Sequence, residues 1–375
     1  MPSRGQSLLI KAAMLEPERA LAAWQTWLER HAEPLDSGSR RLLPLVHLNL
    51  AAPGAQLRHA TAEYETARVR TALFLRALIP TIRVILEVGI EIMVLKGAAL
   101  ASDQYGQLYA RQMGDLDLLV LPQDVDKTVE RLEASGWSRR GRLPANRSLT
   151  HACSFRHTSG RVIDLHWHVH AEARWAGADA SIWQASVPTN LMGVPVRVPR
   201  FEDMFLHVCV HGARWSPIPP CRWVHDAFWI LRNAGRDFDW QRVGDEAGRL
   251  EVSESAMVAI ACLKELAPDR MPSRLPAALE SDVRRPALAQ RAKVRPPNAR
   301  SFRMRLALHG DLYRRMRRSG AYPDRIRTAA AVLVDAWGLE RAWDIPSAAV
   351  SRVSAYARGL IRLGATSPPD GMPAD

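Results

Sequence analysis

The spacing of apolar residues changes character twice along this chain, which restricts it to architectures with a small sheet set between helical regions. Residues 7–85 show no strand alternation, and over Glu63–Val88 the residues Leu73, Leu75, Leu78, Ile79, Ile82, Ile85 and Leu86 recur near helical spacing. After Gly89 the run Ile90–Leu95 is short, apolar and β-branched and ends at Lys96-Gly97, which predicts a strand entering a tight turn, with a short helix over Ala98–Gln104. Asp115–Leu121 predicts a second strand, and Pro122, Gln123 and Asp124 then open a helix that runs to about Ser135 and stops at Gly136. His151–His157 and Arg161–Val169, separated by Thr158-Ser159-Gly160, predict a β-hairpin, so the sheet has at least four strands. From Phe201 the period is helical again, over Phe201–His211, Cys221–Asn233, Trp240–Arg249 and Ser255–Leu266. The predicted class is therefore α+β, a small mixed sheet flanked by N-terminal and C-terminal helical regions.

Domain boundaries follow the same signals: a helical region over 1–85, the sheet-containing core over 86–198, a helical domain over 199–266, a basic Pro/Arg-rich linker over 267–320, and C-terminal helices with a disordered tail over 321–375. Helices are expected at about 324–338 and 347–363. No stretch approaches the ~20 uninterrupted apolar residues of a membrane span, and Met1–Leu15 lacks a cleavage pattern, so the expectation is a cytoplasmic protein without a membrane partner. Cys153, Cys209, Cys221 and Cys262 form no CxxC pair, which excludes a disulfide framework and a cysteine zinc site as readings. The net charge of +12 is concentrated in residues 284–318, where twelve Lys or Arg meet one Asp. Such a block can track nucleic-acid phosphates. A solvated linker is the favoured reading, because arginine outnumbers lysine 46 to 5 throughout the chain.

Chemistry concentrates in three places. In Arg111-Gln-Met-Gly-Asp-Leu-Asp-Leu-Leu-Val120, Asp115 and Asp117 sit two apart in a strand and project from one face, while Leu116, Leu118 and Val120 point to the core. Carboxylates this close repel each other unless a cation lies between them, and hard oxygen ligands suit Mg²⁺. The bland alternative is an exposed strand start. In Arg161-Val-Ile-Asp-Leu-His-Trp-His-Val-His170 the alternation brings Asp164, His166, His168 and His170 to one face, so a third carboxylate emerges from a neighbouring strand. In Val94-Leu-Lys-Gly97 a strand ends at a glycine that lets backbone N–H groups approach a phosphate, with Lys96 as counter-charge.

The order strand-Lys-Gly, helix, strand-DxD, helix, hairpin-Asp resembles the DNA polymerase β-like nucleotidyltransferase superfamily. More narrowly, LKGAAL (95–100), RQMGDLDLLV (111–120) and IDLHWHV (163–169) look like the uncharacterised bacterial nucleotidyltransferase family, and the helical stretch with His207, His211 and Trp223-Val-His-Asp226 is similar to that family's C-terminal region. The resemblance implies transfer of a nucleotide monophosphate from a nucleoside triphosphate to an unidentified hydroxyl acceptor, a small molecule or a protein. It implies Asp115, Asp117 and Asp164 as catalytic residues and ligands of two Mg²⁺, with Mn²⁺ as a substitute, and Lys96, Gly97, Arg111 and His166 as nucleotide-binding residues. One departure stands out: the superfamily usually has Gly-Ser or Gly-Gly where this chain has Gly97-Ala98, so a hydroxyl contact to phosphate is missing.

Other assignments keep their alternatives. Arg111 either pairs with phosphate or buttresses its strand by binding a carboxylate. His166, next to Asp164, orients that carboxylate or touches phosphate, whereas His168 and His170 are assigned to the sheet edge near the surface. Three histidines at i, i+2 and i+4 span ~13 Å, so at most two share an ion, and a metal-dependent hydrolase using His166 and His168 is the second reading. His207 and His211 are expected to be core or supporting histidines, and Asp226, in an apolar helix, to make a structural contact with the core. A non-catalytic nucleotide- or partner-binding module is the remaining alternative.

Overall fold

The computed structural model describes residues 2–30, 35–51, 57–141, 143, 147, 150–214, 221–272, 274–275, 279, 288–318, 324–337, 339, 341–351 and 354. They fall into two compact units, Met1–Leu308 and His309–Asp375.

In the first unit, helices α1 (Arg4–Met14), α2 (Pro17–Arg30), α3 (Ser37–Arg40), α4 (Leu43–Leu50) and α5 (Arg58–Leu86) precede the sheet. Ser3 and Gln6 close α1 with reciprocal capping hydrogen bonds, which satisfy backbone N–H groups that the first turn leaves free. The apolar stripe of α5 is buried at Leu75, Leu78, Ile82 and Ile85, at i, i+3, i+7 and i+10, whereas Leu73 is 61% exposed because it lies off that face. The C-terminal half of α5 is tied to the sheet where Trp137 Nε1 donates to Thr81 Oγ1 at 3.3 Å.

The strands are β1 (Met93–Val94), β2 (Leu116–Leu119), β3 (Trp137–Arg140), β4 (Ala152–His157), β5 (Val162–His166), β6 (Val187–Leu191) and β7 (Val194–Val198), with α6 (Lys96–Leu100) after β1, α7 (Val125–Ala134) after β2 and α8 (Ala180–Ala185) before β6. They form one seven-stranded mixed sheet in the order β3-β4-β5-β2-β1-β7-β6. Parallel pairing joins β2 to β5 and β1 to β7; the other neighbours are antiparallel. The strands expected from sequence are present but shorter, and β3, β6 and β7 were not anticipated. Pro188 and Pro195 sit inside β6 and β7, where proline normally argues against a strand. The hairpin closes instead through Met192 and Gly193, both at positive φ (50° and 77°), the two-residue geometry that matches strand twist.

Helices α9 (Phe201–Ala213), α10 (Arg222–Ala234), α11 (Trp240–Arg249) and α12 (Ser253–Leu266) follow. The segment expected as a linker is partly helical: α13 spans Leu288–Lys293 and α14 spans Phe302–Arg318. In the second unit, α15 covers Arg325–Trp337 and a further helix covers 345–351. The rest of the helix expected to 363 and the tail expected to be disordered lie outside the described residues. No described helix is long and apolar enough to cross a membrane.

Helices α9 and α10 approach closely at Gly212. A Cβ there would stand 2.1 Å from Trp223 Cγ, so only glycine fits. Gly212→Val is expected to destabilise the protein by roughly 1–3 kcal/mol through overpacking. Chemical denaturation would show a lower midpoint; an unchanged midpoint would contradict this packing.

Candidate active site

The sheet brings two of the three sequence-predicted carboxylates together by register. Asp117 in β2 pairs with Asp164 in the parallel strand β5, so the two side chains emerge from one face, and Asp115, two residues before Asp117, joins the row. All four residues of β2 are buried, including Asp117 at 4% exposure. A carboxylate this deep needs compensation. Lys96 Nζ supplies it by donating to Asp117 Oδ1 at 2.6 Å, and His166 Nε2 donates to the same oxygen at 3.0 Å. Burial pushes the Asp117 carboxyl upward, but the Lys96 charge and the His166 hydrogen bond outweigh it and hold the group well below the usual carboxylate range.

Lys96 reaches that position from a strained backbone. Its φ is 47°, in the left-handed region that non-glycine residues avoid, and such strain is a feature of functional sites. The turn is locked to the DxD strand because Leu95 N–H donates to Asp117 O at 3.1 Å. Gly97 has its own requirement, since a Cβ would stand 2.4 Å from an Arg111 guanidinium nitrogen and 2.6 Å from Met113 Sδ.

Arg111 resolves as a buttress: its Nε donates to both oxygens of Asp226 at 2.8 and 2.9 Å, joining the DxD loop to α10. The expected contact of Asp226 with the core is this bond. Asp115 is solvent-facing, and its carboxyl is raised by desolvation on its inner side and by the charges of Asp117 and Asp164. Asp164 accepts a short hydrogen bond from Ser154 Oγ.

The histidines are placed differently from expectation. Strand β5 ends at His166, which binds Asp117 rather than its neighbour Asp164. His168 and His170, expected at the surface, are buried at 4% and 1% exposure because the chain turns inward after β5. Asp179 holds that turn, accepting from His168 Nδ1 at 2.7 Å and from Val169 N–H at 3.0 Å. His166 and His168 thus have separate carboxylate partners, Asp117 and Asp179.

Two cavities flank the carboxylate row and meet at Lys96 and His211, which line both. One, about 120 Å³, is lined by Gly97, Arg111, Asp115, Asp117, Arg222 and Trp223 among others. The other, about 300 Å³, holds Ser154, Asp164, His166, His170, His207 and Arg214. Sequence reasoning missed Arg222, Ser154 and Arg214. Arg222 donates to Gln112 O and has no carboxylate partner among the described residues, and burial together with the nearby Arg111 charge pushes its pKa down to about 9. Its signal was present: Arg222 lies four residues before Asp226, on the same face of α10.

The family model described as uncharacterised nucleotidyltransferase matches residues 39–268. The chain belongs to that family. Nucleotidyl transfer is the general activity that the membership carries. The family's match includes the whole carboxylate row, both cavities and α9 to α12. Solved structures with some similarity include the solution structure of the antibiotic-resistance factor ANT(2'')-Ia (17% identity, 56% of this chain and 94% of that chain, TM-score 0.31) and the crystal structure of an antigenic nucleotidyltransferase-like protein from Paracoccidioides brasiliensis (18% identity, 56% and 90%, TM-score 0.33). No curated protein matches the chain.

Whether the site suits a divalent cation can be judged from its donors. Asp117 and Asp164 share one face with Asp115 two residues before Asp117, and besides desolvation it is the charges of Asp117 and Asp164, which a cation would neutralise, that raise Asp115. No three His, Cys, Asp or Glu among the described residues already stand as a finished metal cage. The donor chemistry fits Mg²⁺, while Lys96 serves Asp117 as a built-in cation.

Burial holds His170 and His225 down to about 4, against an ordinary value of 6.5. Both folded-state values lie below the unfolded ones, so the unfolded chain binds more protons on acidification. Their contribution to stability is complete above about pH 6.5 and is lost as pH falls through about 4. Thermal melts should therefore show a lower midpoint at about pH 4.5 than at about pH 7; equal midpoints would contradict neutral burial of these rings.

Proposed function

We propose that this protein transfers a nucleoside monophosphate from a nucleoside triphosphate to a hydroxyl acceptor, with phosphate groups of the triphosphate at the cavity lined by Gly97, Arg111 and Arg222. The observation that carries the reading is the register pairing of Asp117 with Asp164 beside Arg222, an arginine with no carboxylate partner among the described residues. A guanidinium without a paired carboxylate among the described residues, in a partly buried pocket, is suited to a phosphate, which it can bind through two parallel hydrogen bonds.

In the proposed reaction the acceptor oxygen attacks the α-phosphorus, the bond from that phosphorus to the bridging oxygen breaks, and pyrophosphate leaves. Asp164 lines the larger cavity, is partly exposed there and would accept the hydroxyl proton, while one of its oxygens accepts a hydrogen bond from Ser154. Asp115, Asp117 and Asp164 would hold Mg²⁺, two ions by the superfamily pattern, with Mn²⁺ as a substitute. When bound, the metal supplies Lewis-acid stabilisation of charge on the phosphoryl oxygens. Lys96 fixes the ionised state of Asp117 and adds positive charge between the cavities. His166 orients Asp117 through the same oxygen. Arg111, held by Asp226, presents its remaining N–H groups over Gly97.

A second reading has one observation in its favour. Lys96 and His166 already satisfy Asp117 without a metal, as a nucleotide-binding module without transfer would require.

Two substitutions separate the readings. Asp164→Asn is expected to lower transfer at least about a hundredfold while retaining nucleotide binding, and Arg222→Met to raise the Kd for the nucleotide roughly tenfold or more. Pyrophosphate release and calorimetry are the measurements. Unchanged turnover in Asp164→Asn would reject the catalytic role, and unchanged affinity in Arg222→Met would remove the triphosphate from this cavity.

A further inference from the structure

The larger cavity contains more chemistry than the proposed transfer has used. His170 and His207 line it, are buried at 1% and 3% exposure, and leave His170 Nε2 and both nitrogens of His207 without hydrogen-bond partners among the described residues. The two rings stand edge to face with centroids 5.4 Å apart, and His207 lies 6.5 Å from His211. Buried polar atoms left unsatisfied cost roughly 1–3 kcal/mol each, so these rings are expected to meet a polar ligand or ordered water.

The charged groups around them are already spent. Arg214 Nε donates to Glu172 Oε1 at 3.1 Å, and a second guanidinium nitrogen donates to Oε2. Lys96 is paired with Asp117. Among the described residues that line the cavity, Asp164 is the one carboxylate. A polycationic acceptor would meet Lys96 and Arg214 with a single counter-charge, and an anionic acceptor would have to displace Glu172 or Asp117 from its cation.

Resting on the nucleotidyl-transfer reading, we infer that this cavity is the acceptor subsite and takes an uncharged, hydroxyl-rich small molecule. Hydroxyls both donate and accept, as neutral imidazoles do, so one ligand type can satisfy both ring nitrogens of His207 and the free nitrogen of His170. Burial supports the neutral state, holding His170 at about 4 and His207 well below its ordinary value. The volume of about 300 Å³ is at the lower end of the ~300–1,000 Å³ typical of small-molecule pockets, which suits a compact polyol or single sugar ring. Ser154 and Asp164 at the wall then select which hydroxyl reacts.

The experiment is ligand-observed saturation-transfer NMR on the full-length protein, with and without Mg²⁺ and ATP. The probes are neutral polyols (hexoses, pentoses, myo-inositol), a polyamine (spermidine) and a sugar phosphate. The expected result is saturation transfer to at least one neutral polyol and not to spermidine. His207→Phe should raise the Kd for that polyol about tenfold or more. Its ATP affinity should match the wild type, which also shows that the variant folds. His207→Gln, which keeps hydrogen-bonding capacity, should recover much of the affinity. Binding of spermidine or the sugar phosphate in place of polyols would overturn the inference. So would ATP binding without contact to any polyol, or a polyol Kd indifferent to His207→Phe. Polyol binding with no ATP binding would reject the transfer reading while leaving the cavity's specificity standing.

Discussion

The buried pair between Lys96 and Asp117 is the interaction on which the rest of the site depends. Asp117 occupies a strand whose other residues are all core leucines, and a bare carboxylate at that depth would cost several kcal/mol. Lys96 makes the position tenable, and it can do so only from a left-handed backbone at the end of β1. Removing either partner is the expensive operation, at roughly 3–5 kcal/mol for a buried pair broken on one side. Strain at Lys96 is thus stabilised by the charge it neutralises, and a local backbone cost is exchanged for a reactive group held inside the sheet.

The other ion pairs extend this frame outward. Arg111 and Asp226 bind the loop before β2 to α10, so the helical region forms a wall of the smaller cavity. Arg214 and Glu172 do the same for the larger cavity, and Asp179 fixes the turn that buries His168 and His170. The two cavities share Lys96 and His211, which places the proposed phosphate-binding and acceptor-binding spaces on either side of one lysine.

Much of this was legible in the sequence because it rests on periodicities. The DxD alternation gave β2, the His-rich alternation gave β5, and the helical stripes gave α9 to α12 to within a few residues. Asp226, a lone carboxylate in an apolar helix, announced a buried partner. What escaped depends on tertiary placement. The period-two reading carried His168 and His170 along a strand that stops at His166, since nothing local marks where a carboxylate eleven residues after His168 will pull the chain inward. Strands β6 and β7 were hidden by their prolines. The contact between Lys96 and Asp117 was not legible because 21 residues separate the two.

Calorimetric titration of the protein with ATP, GTP, CTP and UTP, each with and without Mg²⁺ and repeated on Asp117→Asn, tests the central claim most directly. The account predicts Mg²⁺-dependent binding of at least one nucleotide by the wild type and its loss in the variant, with the variant still folded. Absence of binding for all four nucleotides, or equal binding by Asp117→Asn, would contradict it.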